Sequence, residues 1–172
     1  MPNLVMRTAT ADDAGAIDAL IRAHQSEGHL LPRNAGEIRR RASEFVVCEE
    51  DGRIQACAAL APLSTSVAEV RSLVVSDAAR GAGLATRLVE ELRRRARAAG
   101  FETLSAFTHD ARFFVRQNFS IVPPLWLPEK VAKDCAGCPL FRACGQHAMV
   151  LPLWDVARSH AARIDERRVA VA

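Results

Sequence analysis

The chain has 172 residues, 49% of them hydrophobic and 25% charged, with a formal net charge of +3. That is enough for one domain with a sizeable core and the ordinary mix of a globular protein, and it gives no reason to expect two domains. No apolar run approaches the roughly 20 residues of a membrane span, and MPNLVMRTATADDAG lacks a basic-then-apolar leader, so a cytoplasmic protein with no membrane partner is expected.

LVMRTA reads as an opening strand. TADDAGAIDALIRAH follows as a helix with Thr10 as N-cap and Asp12 and Asp13 in its first turn. Its apolar stripe is Ala16, Ile17, Leu20 and Ile21, with His24 on the same face. GHLLPR is a loop, and NAGEIRRRASE a second short helix capped by Asn34. EFVVCEE and RIQACAALAPL flank Asp51-Gly52, a strong hairpin signal, and VAEVRSLVVSD extends them into an antiparallel meander.

A long helix is expected from Ala82 to Ala99, with Leu84, Leu88, Leu92 and Ala96 as its buried stripe and Gly100 as its stop. FETLSAF is a strand, DARFFVRQN a short helix, FSIVPP a strand ending at prolines, and HAMVLPL a last strand before a charged tail. The order β-α-α-β-β-β-α-β-α-β-β implies an α+β domain, a mixed and mostly antiparallel sheet with helices on both faces. The basic runs Arg39–Arg41 and Arg93–Arg97 lie in helical segments. They read as solvated helix faces rather than a nucleic-acid surface, and no nucleic-acid partner is expected.

SLVVSDAARGAGLATRL takes a strand straight into the long helix through Arg80, Gly81, Ala82 and Gly83. Glycines there permit close backbone approach, and the helix start offers unpaired N–H groups to an anion; a plain tight turn needs glycine too. A P-loop needs Gly-Lys-Ser or Gly-Lys-Thr, which is absent. A dinucleotide fingerprint needs a third glycine where Thr86 stands, and Glu102 opens the next strand instead of closing it.

Arg80-Gly81-Ala82-Gly83-Leu84-Ala85 does resemble the Arg/Gln-x-x-Gly-x-Gly/Ala pyrophosphate loop of the GNAT acyl-CoA N-acetyltransferases, whose fold has the same element order. The resemblance implies acetyl-CoA as cosubstrate, with the pyrophosphate on the amides of Arg80 to Ala85 and the adjoining Thr86. It implies that the backbone of Leu73, Val74 and Val75 pairs with the pantetheine arm. The reading of the elements gives one domain over residues 1–153, with 154–172 as a charged tail.

Within that family, EFVVCEEDGRIQACAAL, EVRSLVV, FTHDARFFVRQNF and LPEKVAKDCAGCPLFRAC are similar to segments of short-form bacterial N-acetylglutamate synthases. This implies acetyl transfer to the α-amino group of L-glutamate as the entry to arginine biosynthesis, with L-glutamine open as a second acceptor; the sequence does not fix the oligomeric state, and a homodimer is one open assembly. Two departures bear on the acceptor: Asn118 replaces the glycine of the usual GF turn, and Ala132 the tryptophan after KV.

An α-ammonium must lose a proton before attacking a thioester, and Glu69 matches the family's general-base position. The leaving thiolate has no tyrosine to serve it, because the chain contains none. His109, after the LSAFT strand, is a candidate donor or substrate contact, and water is the alternative. Two carboxylates on the acceptor call for cations, and Arg33, Arg71 and Lys130 stand in the matching positions. Competing readings are a GNAT enzyme acting on a peptide N-terminus or a polyamine, and a non-catalytic acetyl-CoA-binding regulator. A polyamine pocket would be acidic, whereas these segments are rich in Arg and Lys.

Cys135, Cys138, Cys144 and His147 fall within DCAGCPLFRACGQH as Cys-x2-Cys-x5-Cys-x2-His. They form a candidate structural zinc set, an iron–sulfur cluster being less expected from the spacing. The alternative is reduced cysteines that pack as small apolar groups.

Overall fold

The structure is a computed structural model that describes residues 4–25, 34–140 and 143–154. Seven strands form one sheet in the order β1-β2-β3-β4-β5-β7-β6. They are β1 (Leu4–Thr8), β2 (Phe45–Glu50), β3 (Arg53–Pro62), β4 (Val67–Val75), β5 (Thr103–Thr108), β6 (Ser120–Val122) and β7 (His147–Pro152). Every pairing is antiparallel except β4 with β5. The fold is α+β, as expected.

Period-two burial in the central strands explains why both faces are covered. Val46 and Cys48 of β2 and Ala56 and Ala58 of β3 pack with Leu84, Leu88, Val89, Leu92 and Ala96 of α3 (Leu84–Ala98). Their neighbours Phe45, Val47, Cys57 and Ala59 turn the other way, onto Ile17 and Ile21 of α1 (Ala14–Ala23) and Ile38 of α2 (Ala35–Arg40). The predicted α3 stripe is therefore the observed one, joined by Val89.

Local signals explain the element ends. Asp51 and Gly52 both have positive φ, +48° and +78°, the conformation a two-residue hairpin turn requires. Asn34 caps α2 by accepting from the Glu37 N–H at 3.0 Å. The helix expected after Thr10 begins with a 3-10 turn at Ala11–Asp13, where the Thr10 N–H and hydroxyl both donate to Asp13 Oδ2 at 2.7 and 3.1 Å. Asn118, in the family's glycine position, has φ +67°, and asparagine tolerates that left-handed region better than most side chains.

The segment after β6 differs most from expectation. Beyond α4 (Ala111–Arg116), Pro128–Lys130 (α5) runs directly into a π-helical turn at Val131–Cys135, whose last residue is the first cysteine of the candidate zinc set. Part of the basic runs is paired within the fold. Arg94 and Arg95 bond Glu91, Arg97 donates to the Leu153 carbonyl, and Arg41 pairs with Glu44. Among the described residues no helix is long and apolar enough to cross a membrane. Of the predicted tail only Trp154 is described.

Candidate active site

The site begins where β4 and β5 part. Their parallel pairing runs from Val67–Thr103 to Val70–Ala106, after which β5 stays paired with β7 as far as Thr108. On its other edge β4 carries a bulge: Ala59 pairs with Arg71 and Cys57 with Val74, so Ser72 and Leu73 together face Ala58. A β-bulge bends the strand and increases its twist. Ser72 pays for the bend with φ +51°, and its carbonyl accepts from the Cys57 thiol at 3.5 Å. The outcome is a cleft of about 670 Å³ that reaches from Glu69 along Ser72–Val75 to Arg80.

At the far end of the cleft the chain turns into α3 through Arg80–Gly83. Gly81 and Gly83 have φ +83° and +75°. A Cβ on either would meet nothing within 4 Å, so it is backbone conformation and not crowding that calls for glycine. Gly83 is the N-cap of α3, which therefore starts at Leu84, two residues after the predicted Ala82. The amides of the first α3 turn, Leu84, Ala85 and Thr86 among them, lack intrahelical acceptors by geometry and add the positive end of the helix dipole. The Thr86 hydroxyl accepts from Gln117 at 3.1 Å.

At the near end four charged side chains converge. Lys130 Nζ lies 2.8 Å from Glu69 Oε1 and 2.9 Å from Asp134 Oδ2. Arg71 Nε donates to Glu69 Oε2 at 2.5 Å, and its Nη2 donates to Asp134 Oδ2. Glu69 and Lys130 are buried, and the Lys130 ammonium also stands 5.2 Å from the centre of the Phe107 ring. Burial pushes the Asp134 carboxyl upward, but the Lys130 hydrogen bond and the Lys130 and Arg71 charges outweigh it and hold the group below its ordinary value.

Glu69, Arg71 and Lys130, three residues singled out separately in the sequence, thus share one cluster. Asp134 was missed as a member because it stood at the edge of the cysteine motif. Its i, i+4 spacing from Lys130 was the available signal. Lys133 and Gln146 line the same cleft and were also missed.

Other candidates sit elsewhere. His109 is exposed and not among the described residues lining the cleft; its ring lies beside Gly145. Phe113 and Phe114, of the ARFFVR helix, both line the cleft. Arg33 lies outside the described residues, although α2, which follows it, borders a small hollow shared with Arg71.

The zinc expectation fails among the described residues, where no three His, Cys, Asp or Glu side chains are placed to hold a metal ion. Cys135 ends the π-helical turn, Cys144 is exposed, and His147 is drawn into β7 opposite Thr108. All five cysteines are free.

The sequence model of the Acetyltransferase (GNAT) family matches residues 15–119, more than half of the chain. The chain belongs to the GNAT acetyltransferase family. A relative from Chlorobaculum tepidum, described as an uncharacterized N-acetyltransferase, is 30% identical over 86% of this GNAT chain and 96% of its own length. The amino-acid acetyltransferase of Azotobacter vinelandii is 37% identical over 66% of this chain but only 27% of that protein.

N-acetylglutamate synthase from Neisseria gonorrhoeae, solved with coenzyme A and N-acetyl-glutamate, superposes with a TM-score of 0.80 at 29% identity. That match covers 89% of this chain and 36% of the synthase. The chain thus spans about a quarter to a third of the amino-acid acetyltransferases it resembles. It is an acetyltransferase of GNAT type built on the fold of their acetyltransferase region.

Proposed function

We propose that this chain transfers the acetyl group of acetyl-CoA to the α-amino group of an amino acid of the glutamate type, L-glutamate or its amide L-glutamine. The observation that carries the reading is that one cleft is lined at one end by Arg80 of the glycine turn and at the other by Glu69, Arg71 and Lys130. A long cosubstrate with a pyrophosphate and a small acidic acceptor need those two ends.

In this reading the amides from Arg80 to Ala85, with Thr86 beside them, hold the pyrophosphate. The bulged edge Leu73–Val75 pairs with the pantetheine arm, and an N–H of that edge polarises the thioester carbonyl. Arg71 and Lys130 take acceptor carboxylates, in company with Arg33. The acceptor carboxylate draws these cations away from Glu69, whose oxygens they otherwise occupy. Glu69 then removes the ammonium proton, directly or through water. The amine nitrogen forms a bond to the acetyl carbon as the carbon–sulfur bond breaks, and the nitrogen's second proton passes through water to the departing thiolate. His109, off the cleft wall, has no step in this scheme.

The test is thiol release from acetyl-CoA by the purified chain with a panel of amino acids and polyamines, with the product identified by mass. Release with glutamate or glutamine, and not with spermidine, is the expected result. Background release with both amino acids sinks the reading.

A further inference from the structure

The acceptor end of the cleft already contains a carboxylate where an incoming one would go. Asp134 Oδ2 is bound by Lys130 at 2.9 Å and by Arg71, the two cations assigned to substrate carboxylates. Glu69 accepts from both cations as well. Two resident anions therefore face two cations, and the cluster is neutral.

The next cation on the wall is Lys133, whose ammonium donates to the neutral Pro62 carbonyl at 3.1 Å. An acceptor with one carboxylate can share Arg71 and Lys130 with Asp134, with Lys133 beside it. Among the described residues, a second carboxylate has to displace a resident anion or lie beside one. The side chains of Arg71 and Lys130 are 13% and 9% exposed, so a charge mismatch next to them is weakly screened. Asp134 differs from Glu69 in being the accessible anion, 28% exposed against 4%, and its removal leaves the Glu69–Lys130 pair in place.

On the amino-acid acetyltransferase reading, on which this step rests, we propose that Asp134 selects the acceptor. By occupying Arg71 and Lys130 it disfavours a second substrate carboxylate and so prefers the amide side chain of glutamine to the dicarboxylic glutamate. Asp134 acts through the two cations rather than on the reacting atoms, so it is a specificity-determining positioning residue.

The experiment compares kcat/KM for L-glutamine and L-glutamate in the full chain and in Asp134→Asn, which keeps size and hydrogen-bonding capacity while removing the charge. The native chain is expected to prefer glutamine. In the variant the glutamate-to-glutamine ratio is expected to rise about tenfold, or ~1.4 kcal/mol of discrimination, carried by KM for glutamate, with KM for acetyl-CoA steady. Asp134→Ser serves the same test if the asparagine variant does not fold. Turnover of either amino acid with a ratio unmoved within about twofold in the folded variant overturns the assignment of Asp134 alone. Turnover of neither by any of these proteins overturns the amino-acid reading and this inference with it.

Discussion

Lys130 Nζ sits 2.8 Å from one oxygen of Glu69 and 3.1 Å from the other, joining α5 to the first part of β4 across sixty-one positions of chain. Both side chains are at least nine-tenths buried. Such a pair costs desolvation on both sides, and much of its importance lies in what remains when one partner is lost. Lys130→Met leaves Glu69 buried with Arg71 as its only partner among the contacts described. It is expected to cost about 3–5 kcal/mol of stability and to abolish acetyl transfer, read by denaturant unfolding and thiol release. A variant as stable as the native protein would show that the ion pair is not structural.

Glu69→Gln removes the basic carboxylate while keeping the shape, and its one remaining acceptor oxygen can still accept from Arg71 and Lys130 at the Oε2 position. A proton acceptor contributes about 10²–10⁴-fold in rate. The expected outcome is a loss in that range in kcat, with KM for acetyl-CoA near its native value. An unimpaired kcat removes Glu69 from the proton transfer and leaves it as the anchor of the two cations.

The glycine turn predicts a conformational effect. Neither Gly81 nor Gly83 is crowded, so alanine at either meets only the left-handed backbone penalty, about 1–2 kcal/mol. Gly83→Ala is expected to lower the melting temperature by several degrees and to raise KM for acetyl-CoA more than KM for the amino acid, because the start of α3 shifts. Equal effects on both substrates would place the pyrophosphate elsewhere.

Much of this architecture could be read from local chemistry, and the exceptions have physical reasons. Asp51-Gly52, Asn34 and the α3 leucines are signals whose cause lies within a few residues, and each appears where expected. Glu69, Arg71 and Lys130 were legible one at a time. Their mutual ion pairs were not, because β4 and α5 meet only in the folded chain. Asp134 is obscured by its cysteine neighbours: Cys-x2-Cys spacing suggests a metal knuckle, while the backbone through Asp134 and Cys135 is helical and continues the Lys130 turn. The β4 bulge left no signal, since Ser72 carries a positive φ where glycine would have announced it.

Acid should destabilise the fold, by a sign that follows from depressed carboxyl groups. Hydrogen bonds from Arg94 and then Arg95 hold Glu91 down to about 2, and the Arg7 hydrogen bonds hold Asp13 below the ordinary range. Asp134 is lowered as well. A carboxyl lower in the folded than the unfolded state contributes stability above its unfolded value, and that contribution is lost as pH falls through the folded one. Stability should be level near neutrality and decline from about pH 5 towards pH 2. Glu91→Gln should flatten part of that decline, by about 1 kcal/mol at most for a surface-facing pair. Chemical denaturation at stepped pH reads both, and a midpoint that rises on acidification contradicts the assignment.

The five cysteines divide into two classes that thiol chemistry can count. Cys48 and Cys57 are buried between the sheet and its helices, and burial, with Cys48 nearby, pushes the Cys57 thiol up to about 12. The thiolate is the reactive form, so neither should react with a disulfide reagent at pH 8 while the protein stays folded. Cys135, Cys138 and Cys144 lie in the segment after α5 with partial or full exposure. Burial raises the Cys135 thiol, so it should react more slowly than Cys144. Native protein is expected to titrate three thiols and denatured protein five, with no change when a chelator is added first. Fewer than three in the native state, restored to three by chelator, would mean that a metal holds the segment after all. Because Asp134 adjoins Cys135, labelling should also weaken glutamine turnover, and protection of the slow thiol by the amino acid would tie the cysteine segment to the acceptor end of the cleft.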